Sequence, residues 1–323
     1  NSMNVSRVVK NQNMIFDILK SAKLNNRLSH AYLFYGDEGV GKKEMAYALA
    51  CLLYCPNGGC LECEVCSSII NNKHMNVDYI GIDDKKTMIS KEQITNLQEE
   101  FSKTSLVDGT RIYIVDGIDT ASNAAQNSLL KFIEEPVNQT PTIGVFIAKE
   151  LSNVVPTILS RCALVHFKAL SLDKSVAYLT NEGLELFDAI LVSSLTNNLD
   201  EALDIAKTES YNKTKALFLD FLNLNNPRDG VLYFINNVSF FSDSNNLLRL
   251  LQWILLFLED ANLECKSKDD LILSSLYDKI IEYKANNEKT LKNKMSIVLN
   301  LFDRLKYNAT AKNVFHELVV KMI

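Results

Sequence analysis

At 323 residues the chain is long for one compact domain and sufficient for two or three. Its 47% hydrophobic and 23% charged content is that of a globular protein, and no apolar run nears the roughly 20 residues that cross a bilayer, which argues against a membrane partner. A net charge of -5 argues against a surface that grips nucleic acid over its whole extent. Asn1 and Ser2 before Met3 read as added residues, and no secretory signal is visible. Five of the seven cysteines fall between Cys51 and Cys66, a clustering that reads as metal binding in a reducing, cytoplasmic setting.

Up to about Lys168, short β-branched or aromatic runs alternate with helical stretches, as a parallel α/β sheet requires. The expected strands are Ala31–Tyr35, Val77–Ile82, Arg111–Val115, Ile143–Ile147 and Ala163–Phe167. The first is followed by Gly36-Asp37-Glu38-Gly39-Val40-Gly41-Lys42-Lys43 and then by an amphipathic stretch, Lys42–Tyr54. This strand–loop–helix setting makes a phosphate-binding P-loop credible, with Gly36, Gly39 and Gly41 shaping the cradle and Lys42 reaching the β- and γ-phosphates of ATP, or the β-phosphate of ADP. The motif ends in Ser or Thr because that hydroxyl ligates magnesium. Lys43 stands there instead, and an ammonium cannot ligate a cation.

Cys55, Cys60, Cys63 and Cys66 come next, and four thiolates at this spacing suit a closed tetrahedral zinc site of structural rather than catalytic character. Cys51, one helical turn earlier, is an alternative to Cys55, although its apolar neighbours read as core. A redox C-x-x-C is the weaker alternative. Ser90-Lys91-Glu92-Gln93 is a capping box for a helix to about Lys103, and Thr120–Ile133 reads as a further helix stopped by Pro136.

Between these helices, Ile112–Asp119 ends a strand in acid. Asp116 occupies the position that holds magnesium in a P-loop ATPase, but Gly117 occupies the place of the Glu that activates the attacking water. Asp119 reads as a solvated loop carboxylate. With Lys43, two catalytic positions are missing, and hydrolysis by this chain is not expected. Ser160-Arg161-Cys162 precedes the last strand, where Arg161 could either reach a phosphate on a neighbouring subunit or interact with a helix C-terminus. After Leu170 strand signals vanish: about three short helices are expected over Ser171–Lys207 with a break at Asn197-Asn198, and longer ones such as Asn246–Asn262 and Lys294–Lys306 follow.

Taken together, these strings resemble bacterial clamp-loader AAA+ subunits of the delta-prime type, specifically over about Val8–Lys168. Ser29-His30-Ala31-Tyr32-Leu33-Phe34, the four-cysteine insertion, Asn127–Pro136 and Thr157–Cys162 carry the resemblance. The resemblance implies an α/β P-loop domain at 1–168 with a zinc module at about 51–68, a helical lid at 169–208 and a helical collar at 209–323. It implies a non-hydrolysing stator working with gamma/tau ATPase subunits and a delta subunit, acting through the complex on a sliding clamp and primer-template DNA. It also makes Arg161 a finger offered in trans to the neighbour's ATP. Leu170–Lys207 contains no arginine, so the lid's sensor arginine is missing. Two rivals remain: an ATP-hydrolysing gamma/tau-type motor, and a zinc-dependent DNA-binding protein, which the absence of Lys or Arg between Cys51 and Cys66 argues against.

Overall fold

The computed structural model describes residues 3–83, 86–103, 109–134, 141–264, 267–307 and 309–323. Chain contacts divide it into two compact units, Asn1–Leu170 and Ser171–Ile323.

The first unit is built on five parallel strands: β1 Ala31–Tyr35, β2 Val77–Ile80, β3 Arg111–Asp116, β4 Thr142–Ala148 and β5 Ala163–His166. Their order across the sheet is β2-β3-β4-β1-β5. The interior strands are buried on both faces, which is why they read as unbroken apolar runs rather than as an alternating pattern. Tyr32, Phe34, Ile112 and Ile114 face one core, while Ala31, Leu33, Tyr113 and Val115 face the other. Helices cover the sheet: α1 Val5–Asn11, α2 Asn13–Leu24, α3 Lys42–Tyr54, α4 Glu64–Ile70, α5 Lys91–Ser102, α6 Asn123–Ser128, α7 Leu130–Glu134 and α8 Pro156–Leu159. The helix α3 is the central element of the first core, with Met45 through Leu52 fully buried.

The capping box is present as expected, with Ser90 accepting from the Gln93 N–H and the Gln93 side chain returning to the Ser90 N–H. The single helix expected over Thr120–Ile133 is instead a 3-10 turn at Ile118–Thr120 followed by α6 and α7. Ser122 caps α6 by accepting from the Ala125 N–H. The Gln98 side chain of α5 donates to the Ser128 carbonyl at 2.8 Å, where α6 ends. Pro136 lies outside the described residues.

The second unit is all helix among its described residues: α9 Leu172–Asn181, α10 Leu186–Ser193, α11 Leu199–Ala206, α12 Glu209–Phe221, α13 Pro227–Asn237, α14 Ser244–Asn262, α15 Tyr277–Asn287, α16 Leu291–Lys306 and α17 Ala311–Met322. The break at Asn198 is a cap, its side chain accepting from the Asp200 and Glu201 N–H groups. The segments expected as lid and collar are joined inside this unit. Trp253 on α14 is fully buried, donates its indole N–H to the Leu191 carbonyl at 3.1 Å and meets Tyr211 edge-on. Asp188 on α10 accepts from both Tyr211 (2.6 Å) and Lys215 (2.7 Å) on α12.

Candidate functional site

The glycine-rich loop lies between β1 and α3, where the first N–H groups of a helix point toward the loop. Gly41 shows why the sequence needs glycine here. Its φ of +94° is left-handed, and a Cβ would lie 2.3 Å from Val8 Cγ1 of α1. The preceding helices hold the loop: Gln12 donates to the Val40 carbonyl at 3.1 Å and to the Lys168 carbonyl at 2.9 Å. Lys42 is only 9% exposed, and its ammonium folds back on the loop to donate to the Gly36 and Asp37 carbonyls. Burial pushes its pKa down, and the nearby Asp116 and Asp119 carboxylates oppose that shift.

Lys43 has a different set of partners. Its ammonium donates to the Tyr79 hydroxyl at 2.9 Å and lies 4.0 Å above the centroid of the same ring. The Tyr79 hydroxyl donates in turn to Asp116 Oδ2, also at 2.9 Å. The sheet register explains the meeting. Tyr79 pairs with Ile114, so Tyr79 and Asp116 project to the face covered by α3. Burial raises the Asp116 carboxyl, against the Tyr79 hydrogen bond and the two lysines, which lower it. The pair of groups that share a magnesium ion in an active P-loop protein is thus bridged here by a cationic side chain and a phenol.

Beyond Asp116, Gly117 has a φ of +99°, and a Cβ there would sit 3.3 Å from Ile82 Cδ1. A side chain at this position would be strained at its backbone, and the glycine offers no carboxylate here. Asp119 is a part-exposed loop carboxylate, as expected, and it is also tied to the backbone. Its Oδ2 accepts from the Lys149 and Glu150 N–H groups at 2.9 and 3.0 Å, tying the 3-10 turn to the end of β4.

The sulfurs of Cys55, Cys60, Cys63 and Cys66 all lie within 4.8 Å of one another, and the four residues are positioned to bind a metal ion. Cys55 terminates α3, Cys63 precedes α4, and Cys66 lies within α4, so two helices bring the loop ligands together. The Cys55 sulfur is 3.6 Å from that of Cys60 and 3.7 Å from that of Cys63. A tetrahedron with metal–sulfur bonds of about 2.3 Å has edges of about 3.8 Å, so these spacings fit one ion. Burial disfavours the Cys55 thiolate, but N–H groups of Cys60, Asn57 and Gly59 outweigh it and bring the thiol down to about 6. Burial pushes the Cys66 thiol in the opposite direction. Cys51 lies outside the cluster: fully buried in α3, with its thiol pushed up to about 12 by burial, it faces the Cys66 carbonyl at 4.0 Å.

Arg161 follows the single turn of α8 and is exposed. Its guanidinium donates to the Glu134 carboxylate, and to the Thr157 carbonyl at 3.0 Å and Ser160 Oγ at 3.3 Å. It therefore answers the helix end and also carries an ion pair with a residue 27 positions earlier. Both side chains of that pair are exposed, so a stronger anion such as a phosphate can compete for the cation at little cost.

Tyr79 and Glu134 were not singled out from sequence. Tyr79 was recoverable from strand alternation once β2 and β3 were placed side by side. Glu134 was not recoverable, because its partner depends on how α7 and α8 pack. Gln126 is a further structural find: fully buried, it donates to the Ala121 and Asn153 carbonyls and accepts from the Val155 N–H, fixing the approach to α8 and hence to Arg161.

These features define a class: an AAA+ α/β module with a P-loop altered at its metal position, a four-thiolate centre and a helical second unit. The "DNA polymerase III, delta subunit" family matches residues 11–171. The chain is 30% identical to DNA polymerase III subunit delta' of Bacillus subtilis (strain 168), over 96% of each chain. It is also 30% identical to DNA polymerase III subunit tau/gamma of Haemophilus influenzae, over 76% of this chain and 37% of that one. Among solved structures, a DNA polymerase III gamma subunit-related protein of Thermotoga maritima superposes with a TM-score of 0.50 at 15% identity, covering 94% of this chain and 97% of that one, which shows the fold. The chain belongs to the delta-prime subunit family of DNA polymerase III.

Proposed function

We propose that this chain is the non-hydrolysing stator of a clamp loader. In this reading it assembles with gamma/tau-type ATPase subunits and a delta subunit, and contributes to placing a sliding clamp on primer-template DNA in the cytoplasm. The observation that carries the reading is the state of its own catalytic positions: Lys43 and Tyr79 occupy the approach to Asp116, and Gly117 sits in a backbone conformation that disfavours a glutamate. Such a site retains a phosphate cradle without the groups that drive hydrolysis. The organisation is an α/β domain over 1–168, a lid over 169–208 and a collar over 209–323, with Trp253 and Asp188 joining lid to collar. The metal at Cys55, Cys60, Cys63 and Cys66 is zinc in this account, because four thiolates select it over harder divalent ions. Zinc there closes the loop between α3 and α4 and offers no open position for catalysis.

Arg161 is the residue directed outward. Placed on an exposed turn and held, among the described residues, by Glu134, Thr157 and Ser160, it is free to exchange those partners for the γ-phosphate of a neighbour's ATP. Co-assembly is the direct test. The purified chain mixed with its ATPase paralogue and delta subunit is expected to elute as one complex on size exclusion. Elution as separate species would remove the assignment.

A further inference from the structure

A loop that keeps its glycines, keeps Lys42 and loses its metal ligand poses a physical question. Asp116 is a buried carboxylate at the end of β3, close enough to the loop to interact with Lys42 and Lys43. In an active P-loop protein magnesium lies between such a carboxylate and the phosphates and cancels their repulsion. Here the hydroxyl that would complete that ion's coordination is missing. In its place an ammonium is anchored, with its stem rooted in the first turn of α3 and its head 2.9 Å from the Tyr79 hydroxyl, which is itself 2.9 Å from Asp116 Oδ2. Ring stacking adds to the anchoring, with Lys43 Nζ 4.0 Å from the Tyr79 centroid.

Building on the stator reading, we infer that Lys43 stands in for the magnesium ion: this P-loop takes a nucleoside di- or triphosphate without a divalent cation, because the Lys43 ammonium, linked through Tyr79, cancels the Asp116 charge that would otherwise repel the phosphates. The arrangement is specific in two ways. Tyr79 donates its proton to Asp116 Oδ2 and accepts from Lys43, so the carboxylate is already engaged by a chain that ends in a cation. An ammonium also repels a dication, so a magnesium-bound nucleotide meets positive charge where an ordinary P-loop offers an oxygen. The same substitution that disables hydrolysis thereby sets which ionic form of the nucleotide is held.

The test is nucleotide binding by the full-length chain, measured by calorimetry with ADP and with ATP. Buffer depleted of magnesium, without chelator, leaves a metal at the cysteine centre in place, and a second series contains millimolar magnesium. Binding is expected in the depleted buffer and is unchanged or weakened by magnesium. In a Lys43→Thr variant, whose melting curve checks folding, binding in depleted buffer falls by about tenfold and magnesium restores it. A Lys43→Met variant loses binding in both buffers, since it has neither ammonium nor hydroxyl. Binding by the parent chain that magnesium strengthens by about tenfold or more would overturn the inference, and so would absence of binding in both buffers. Either result, with co-assembly intact, leaves the stator reading standing; failure of co-assembly with metal-free binding intact does the reverse.

Discussion

Replacing Arg161 with Ala is expected to slow ATP turnover at the partner site that faces it by about 10³-fold, the lower end of what a trans arginine contributes to phosphoryl transfer. The rate measured for the whole complex falls by the share that site carries, and by more if the sites act in sequence. The reason lies in where the guanidinium stands. It is exposed, always charged, and held by a surface carboxylate and two neutral oxygens rather than buried in an ion-pair network. Losing it costs the isolated chain little, so the variant should fold, melt and assemble normally while the complex slows. Arg161→Lys separates charge from geometry: a single ammonium cannot present a planar fork, so it recovers only part of the rate. An unchanged rate for the Arg161→Ala complex would remove the finger assignment and leave Arg161 as a helix-end cation.

The second large effect is at the cysteines. Structural zinc in all-thiolate sites contributes about 10–16 kcal/mol of binding free energy, much of which appears as folding free energy. Cys63→Ala removes a sulfur 3.7 Å from that of Cys55 and leaves three ligands around one ion. Metal content should fall from one equivalent to near zero, and the unit should lose roughly 4 kcal/mol or more of stability. For a unit of this size that corresponds to a melting temperature lower by about 10 °C. The effect should reach beyond the insertion, because α3 runs without interruption from the phosphate loop at Lys42 to Cys55, and Tyr47 on that helix hydrogen-bonds Asn72 just beyond α4 at 2.5 Å. Elemental analysis with a melting curve decides it. A variant that keeps its metal and its melting temperature would show that Cys63 is not a ligand. Cys51→Ala is the companion control: its sulfur lies outside the cluster, so it should keep the metal.

Local physics made the α/β core readable from sequence. Strands buried on both faces must be continuous apolar runs, and β1 and α3 fall where the run and the following amphipathic stretch put them. The cysteine cluster was equally local, since four sulfurs within twelve residues have few ways to avoid one another. What sequence did not show depends on contacts between distant segments. The split between α6 and α7 falls where a Gln98 side chain reaches the Ser128 carbonyl 30 residues away, a contact that no local pattern announces. The helices α1 and α2 went unremarked, yet Val8 and Gln12 define the wall of the phosphate loop. The two N–H partners of Asp119 lie 30 and 31 residues downstream, so no local pattern marks them. Lys43 was legible as an absence, a missing hydroxyl; its link to Asp116 through Tyr79 required the strand register.

A retired catalytic site whose remaining chemistry is directed at a neighbour makes a plain demand on ATP turnover by the purified chain, measured alone and mixed with its ATPase paralogue in magnesium buffer. No turnover above background is expected from the isolated chain, and the mixture should run faster than the paralogue by itself. Magnesium-dependent turnover by the isolated chain, abolished by Lys42→Ala, would mean that the site is not retired.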